Sequence, residues 1–293
     1  MSFPRVLVTG AGGMIGNALA GMDASVVALR HAALDITDER AVQDTLTRLA
    51  PDMVINAAAL TDLDSIERDD RGALRVNVEG AAILAHACQA TGAWLLQLST
   101  DCVFGEGQPG RAHQESDPTA PLNAYGRSKA AGEAAVATVL SNHLILRTSW
   151  VFGAGQRGFV HTVAQQLLHG YNVAVASSQR GCPTPLSALV DTVSQMTMLA
   201  LTGRLAAGCY HYCGDEPVDR LALAEWTAAY LRSSSGQPIG HVVAAQVPPC
   251  DVARRAQNSV LDCSRLARTA GIAPGHWRNA MAEMLRQMFC QHS

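Results

Sequence analysis

Short apolar runs alternate with stretches of helical period through the first half of the chain, and this alternation limits the fold more than any other feature. Arg5–Thr9, Val26–Leu29, Met53–Asn56, Trp94–Leu98 and Leu144–Arg147 read as buried strands. Helices are predicted between them, from about Met14 to Ala20, from Glu39 to Leu49, from Leu74 to Thr91 and from Tyr125 to Leu140. Asp38 caps the second and Pro51 stops it, Gly92 ends the third, and the loop after Pro121 opens the fourth. Strands alternating with helices predict an α/β chain with a doubly wound parallel sheet.

Beyond Trp150 the pattern loosens. Helices are predicted over about Phe159–His169, Leu186–Leu201 and Leu221–Leu231, a Pro-Thr-Pro turn at Pro183–Pro185, and a surface loop at Ser233–Pro238. The expected division is a dinucleotide-binding domain over 1–150 and, over 151–293, mainly a smaller substrate lobe with segments returning to the sheet.

The 293 residues can bury a sizeable core, and 48% apolar against 16% charged content suits a compact globular protein. A net charge of -3 gives no reason to expect nucleic acid or an anionic membrane as partner. No apolar run approaches the ~20 residues that span a bilayer, and the N-terminal residues lead straight into a strand with no secretory signature. A cytoplasmic protein is expected. The eight cysteines are scattered, without a Cys-x-x-Cys pair. Cys209-Tyr-His-Tyr-Cys213 offers only His211 as a third ligand, so it reads as buried strand cysteines and not as a metal site. Reduced thiols and no bound metal are expected.

Four motifs carry chemistry. Gly10-Ala-Gly-Gly13-Met-Ile-Gly16 sits between the first strand and the first helix, where glycines permit a tight turn and close approach of backbone to a pyrophosphate at the helix N-terminus. At the end of the second strand stand Arg30 and His31 and no acid, which favours the 2′-phosphate of NADPH, with NADH possible. Asp35 and Ile36 then fall where an adenine would lie. Ser99-Thr100-Asp101 closes the fourth strand and could hold a carbonyl oxygen. Tyr125-Gly-Arg-Ser-Lys129 sets a phenol and an ammonium one helical turn apart, and a cation beside a tyrosine favours the phenolate and makes a usable general acid.

Together these motifs, with Pro51-Asp-Met-Val-Ile-Asn-Ala-Ala-Ala59, Pro121-Leu-Asn-Ala-Tyr-Gly126, Arg147-Thr-Ser-Trp-Val-Phe152, Gly181-Cys-Pro-Thr184 and Arg255-Ala-Gln-Asn-Ser259, resemble the dTDP-4-dehydrorhamnose reductase family of the extended short-chain dehydrogenases/reductases. The resemblance runs from residue 4 almost to the C-terminus. It implies a Rossmann-type fold and NADPH-dependent reduction of the C4 keto group of a nucleotide-linked 6-deoxy sugar, in envelope polysaccharide or secondary-metabolite synthesis. By the same resemblance Thr100, Tyr125 and Lys129 are catalytic, with Tyr125 the proton donor and Lys129 on the nicotinamide ribose. Gly10, Gly13, Met14, Ile15, Arg30, Asp35, Ile36, Ala59, Leu60 and Thr61 line the cofactor, while Thr100, Asp101 and Trp150 meet the sugar.

The chain departs from the family pattern at Cys102, where tyrosine is usual, at Asp62 and Ile66, at Ser178-Gln179-Arg180, and at Asn17-Ala18, where some members place a magnesium-binding glutamate. A homodimer is possible without that metal. Alternatives are a reductase of another nucleotide keto-sugar, or a non-catalytic NADP-binding subunit resembling the regulatory subunit of methionine adenosyltransferase. An epimerase or dehydratase ranks lower, since Asp101 is followed by Cys102 and not by glutamate.

Overall fold

A computed structural model describes residues 4–23, 25–107, 110–153, 158–176, 179–235, 237–245 and 252–290. Cys250 and Ser178 lie outside them. Six parallel strands form the central sheet: β1 (Val6–Thr9), β2 (Val26–Leu29), β3 (Met53–Asn56), β4 (Trp94–Thr100), β5 (His143–Thr148) and β6 (Gly208–His211), in the order β6-β5-β4-β3-β1-β2. Successive residues point to opposite faces of a strand. Val8, Ile55, Leu96 and Leu146 therefore pack with Leu189, Val193 and Met196 on one face. On the other, Leu7, Val54 and Leu95 pack with Val42, Leu46, Leu84 and Val136. Helices cover both faces, which is why β1, β3, β4 and β5 are nearly unbroken apolar runs.

The chain reverses direction across the sheet between β1 and β3, and open α/β sheets bind ligands outside the carboxyl ends of strands at such a switch point. A buried polar rung crosses that point. The Thr9 hydroxyl donates to Asn56 Oδ1 at 2.7 Å, and Asn56 Nδ2 donates to Gln97 Oε1 at 2.8 Å, tying the ends of β1, β3 and β4 together.

Several elements differ from expectation. β4 runs on to Thr100 because its last residues keep pairing with β5 as far as Thr148. The helix expected over Leu74–Thr91 begins as a π-helical turn, Leu74–Glu79, before the α-helix Gly80–Thr91. The fourth helix spans Ala124–Val139, and Asn123 caps it by accepting from the Gly126 amide at 2.8 Å. The Ser233–Pro238 loop is partly helix, since Arg220–Ser235 is one element and the Ser233 hydroxyl bonds back to the Tyr230 carbonyl at 2.8 Å. Thr184–Pro185, expected as a turn, pairs in parallel with Val151–Phe152.

Outside the sheet, the helices Phe159–Leu168, Arg220–Ser235 and Trp277–Cys290 share a second core around Val163, Leu167, Leu223, Trp277 and Met281. Val173–Ala176 pairs with Val242–Ala245, and Arg180–Gly181 with Val218–Asp219. Among the described residues no helix is long and apolar enough to cross a membrane.

Candidate active site

The glycine turn divides into residues the fold requires and residues it does not. A Cβ on Gly10, whose φ is +71°, would lie 2.4 Å from the Ala58 nitrogen, and one on Gly16 only 2.2 Å from the Gly10 oxygen. Gly12 faces open space, and a Cβ on Gly13 would meet nothing nearer than the Gly10 oxygen at 3.5 Å. Gly13 stands at the N-cap of the helix Met14–Leu19 without a side chain to cap it. The first turn of that helix therefore offers free amides beside a bare surface, as close binding of a pyrophosphate needs.

At the end of β2, Arg30 and His31 are exposed. Asp35 accepts from the amide and hydroxyl of Thr37, at 2.9 and 2.8 Å, and these bonds hold its carboxyl below the usual range. Ile36 needs correction as an adenine contact through its side chain: it is 3% exposed and packs in the core against Gly80, where a Cβ would come within 2.7 Å of it. Ala59, Leu60 and Thr61 follow β3. Asn77 pins the Leu60 peptide from both sides, with Oδ1 accepting from its amide at 2.9 Å and Nδ2 donating to its carbonyl at 3.0 Å. Asn77 Nδ2 also donates to the Ser128 hydroxyl at 2.9 Å. This residue links the cofactor loop to the Tyr125 helix, and the reading of motifs missed it. Asn77 lies in the π turn Leu74–Glu79, and nothing local in the sequence shows that it reaches Leu60 and Ser128.

The Ala124–Val139 helix lies against β4. Lys129 Nζ, 4% exposed, donates to the Leu98 carbonyl at 2.7 Å. One turn on, the Glu133 carboxylate accepts from the Ser99 hydroxyl and binds Arg147 through both oxygens, with Nε at 3.0 Å from Oε1 and Nη2 at 2.6 Å from Oε2. These contacts bring Tyr125, 8% exposed, against Thr100 and Cys102. Burial lowers the Lys129 pKa to about 8, with Glu133 opposing. Burial also drives the Tyr125 phenol up, helped by Cys102 and Asp101, while a hydrogen bond from Thr100 draws it down. The expectation that the neighbouring lysine lowers the phenol is thus corrected: desolvation dominates and raises it, and a protonated phenol is what a proton donor requires.

Asp101 is buried and raised by desolvation, with hydrogen bonds to Ser259 and Thr100 and the charge of Arg220 opposing. Trp150 has the left-handed φ of 44°. A Cβ on Gly181 would sit 2.5 Å from its indole, and the Arg220 guanidinium lies 3.8 Å from its ring centre. Residues 253–259 are tied by their backbone to both halves of the chain. The Ala253 amide donates to Asp64 at 3.0 Å, the Arg254 carbonyl accepts from Asn123 at 2.8 Å, and the Ser259 amide donates to the Arg180 carbonyl at 2.9 Å. Arg220 and Ser259 were not singled out as site residues, because nothing local in the sequence shows that they reach Asp101. Cys209 and His211 lie on β6, while Cys213, beyond it, stands 3.5 Å from Cys263 as a free thiol. No group of three His, Cys, Asp or Glu side chains among the described residues could hold a metal ion.

A six-stranded Rossmann-type sheet with a tyrosine and a lysine on the helix after β4 defines a nucleotide-binding protein of the short-chain dehydrogenase/reductase kind. Residues 4–290 match the model of the RmlD substrate binding domain, and the chain belongs to that family. It is 40% identical over 286 residues to the dTDP-4-dehydrorhamnose reductase of Streptomyces griseus, covering 96% of this chain and 92% of the relative. It is 32% identical to that of Aggregatibacter actinomycetemcomitans over 94% of this chain and 97% of the relative. The crystal structure of dTDP-4-dehydrorhamnose reductase from Bacillus anthracis in complex with NADP superposes with a TM-score of 0.87 at 27% identity, covering 99% of this chain and 100% of that one.

Proposed function

We propose that this protein reduces the C4 keto group of a nucleotide-linked 6-deoxy sugar with NADPH, turning dTDP-4-dehydro-β-L-rhamnose into dTDP-β-L-rhamnose. The observation that carries the reading is the placement of Tyr125, buried beside Thr100, on a helix whose Lys129 is fixed on the strand beside it. The names of the full-length relatives supply the substrate. NADPH, when bound, supplies the hydride for the carbonyl carbon.

The chain supplies the remaining steps. Gly12 and Gly13 admit the pyrophosphate to the helix amides, while Arg30 sits where a 2′-phosphate would lie, with Asp35 and the Ile36 backbone near the adenine. Ala59, Leu60 and Thr61 form the next wall, held by Asn77. Thr100 orients the sugar carbonyl, and Tyr125 releases its phenolic proton to that oxygen as charge develops there. Lys129, lying on the cofactor ribose, keeps a positive charge by the phenol and favours the phenolate that results. Asp101 and Trp150 bound the sugar, and Cys102 in place of a bulkier residue leaves the pocket wider beside Tyr125. Residues 1–150 form the cofactor domain and 151–293 mainly the substrate lobe, in a cytoplasmic enzyme that serves polysaccharide synthesis.

The test is loss of NADPH absorbance with dTDP-4-dehydro-L-rhamnose, with Tyr125→Phe alongside. Turnover that falls more than a hundredfold in the variant, with NADPH binding kept, is expected. Wild-type protein that binds NADPH and leaves this sugar unreduced would shift the assignment to another keto-sugar or to a cofactor-binding regulatory role.

A further inference from the structure

One strained residue of the site has a fastener of its own. Trp150 has a φ of 44°, and among the described residues the only other non-glycine with a positive φ is Ala50. Ala50 ends the helix Glu39–Leu49, where a left-handed residue is ordinary. Trp150 ends no helix and stands between β5 and the short strand Val151–Phe152. A bulky side chain disfavours that conformation, which persists only where the surroundings hold it. Here one residue holds it. Thr184, fully buried, donates its amide to the Trp150 carbonyl at 3.1 Å and its hydroxyl to the Ser149 carbonyl at 2.5 Å. The peptide groups on both sides of the Trp150 Cα are thus fixed, and those two groups set its φ and ψ. The Ser149 hydroxyl closes the clasp by donating to the Cys182 carbonyl at 3.0 Å. Thr184 stands between Pro183 and Pro185, so it has the only amide of the three residues. The prolines also bias Cys182 and Thr184, the residues before them, toward extended backbone, which suits the pairing of Thr184–Pro185 with Val151–Phe152.

We propose that Thr184 is a positioning residue for the sugar: by holding the Trp150 backbone left-handed, it sets the indole as a wall of the pocket. This rests on the reading that Trp150 meets the sugar. The surroundings of the indole support it. Gly181, from the same strap as Thr184, lies so close that a Cβ there would come within 2.5 Å of the ring. The Arg220 guanidinium covers the ring, 3.8 Å from its centre. Residues 181–184 therefore fix Trp150 twice, by bare contact at one end and by hydrogen bonds at the other. A turn of the backbone to the ordinary negative φ would carry the indole off both Gly181 and Arg220. The Thr184 methyl has no part in the clasp. Valine at this position keeps the shape and the amide but cannot donate to Ser149, whereas serine can. Shape and hydrogen bonding are thereby separable.

Steady-state kinetics of Thr184→Val and Thr184→Ser, with Trp150 fluorescence beside them, test this. Thr184→Val is expected to raise KM for dTDP-4-dehydro-L-rhamnose at least fivefold, with kcat and the KM for NADPH within about twofold of wild type. Thr184→Ser, which restores the donor, should return the sugar KM to near the wild-type value. A role in packing alone predicts the opposite order, since serine loses the methyl that valine keeps. The chain has four tryptophans, so Trp150 emission is read as the difference between each protein and its own Trp150→Phe counterpart, without substrate. That difference spectrum should shift to the red in Thr184→Val and stay in place in Thr184→Ser. An unaltered sugar KM in a Thr184→Val enzyme that turns over would overturn the proposal and leave the reaction standing. Wild-type protein that binds NADPH and leaves this sugar unreduced would sink the reaction instead. The substrate-free spectrum then decides the clasp, a red shift supporting it and coincident spectra refuting it. Should Thr184→Val not fold, Ser149→Ala removes the bond to Cys182 and is read in the same way.

Discussion

Lys129 and Glu133, one turn apart on the same helix, hold adjacent residues of β4. The lysine ammonium sits on the Leu98 carbonyl and the glutamate on the Ser99 hydroxyl. Two contacts at successive positions fix the register of helix against strand, so Tyr125 and Thr100 meet without depending on the loop between them. The same glutamate is the anionic partner that favours charge on Lys129.

The activity should therefore have an alkaline limit. The Lys129 ammonium, lowered from 10.5 to about 8 by burial, loses its proton as pH rises through about 8, and kcat/KM falls with it. Glu133→Gln removes the charge that retains that proton and shifts the limb to lower pH. A pH–rate profile of both proteins measures this, and coincident alkaline limbs would contradict it.

Acid stability should depend on His211. It is fully buried, its Nδ1 is 3.2 Å from the His113 carbonyl, and its Nε2 is 3.4 Å from Arg147 Nη1. Burial, with Arg147 adding, lowers its pKa from 6.5 to about 3. Below pH 6.5 the unfolded chain takes up a proton there that the folded chain refuses, so stability falls as pH drops from 6.5 toward 3. His211→Gln should lower Tm at neutral pH and reduce its slope over the acidic range. Equal slopes in the two proteins would remove His211 as the cause.

The glycines of the first turn should separate folding from binding. Gly16→Ala forces a Cβ to 2.2 Å from the Gly10 oxygen and should cost about 1–3 kcal/mol of stability. Gly12→Ala meets no protein atom within 4 Å, so Tm should hold while NADPH binding weakens. Thermal melts and NADPH titrations of both variants decide, and unaltered NADPH affinity in Gly12→Ala would place the phosphates elsewhere.

Cofactor choice should follow Arg30. Arg30→Glu places a carboxylate where a 2′-phosphate would lie, and should weaken NADPH by on the order of tenfold or more while NADH gains relative to it. Steady-state KM values for both cofactors measure the ratio, and an unaltered preference would assign selectivity to other residues.

The sheet was largely legible in the sequence because its strands are buried on both faces and read as plain apolar runs. The glycine turn and Tyr125–Lys129 were legible because each depends on spacing within a single strand–helix unit. Asn77, Arg220 and Ser259 were not, since each acts across a long stretch of chain. Asn77 reaches Leu60 and Ser128, Arg220 lies over Trp150, and Ser259 meets Asp101. Local pattern carries no trace of such pairings. The two-residue strands of the second half escaped for a related reason: Thr184–Pro185 is too short to show alternation, and only its partner Val151–Phe152 makes it a strand.

β6 lies late in the chain yet pairs along its whole length with β5, an element of the cofactor half. During synthesis the edge of β5 stays open until Gly208–His211 leaves the ribosome, long after the dinucleotide-binding residues have emerged. A growing chain that stops near residue 150 presents bare strand hydrogen-bonding groups to its neighbours, which invites pairing between chains. Cutting the chain near residue 150 would leave that edge of β5 without its partner.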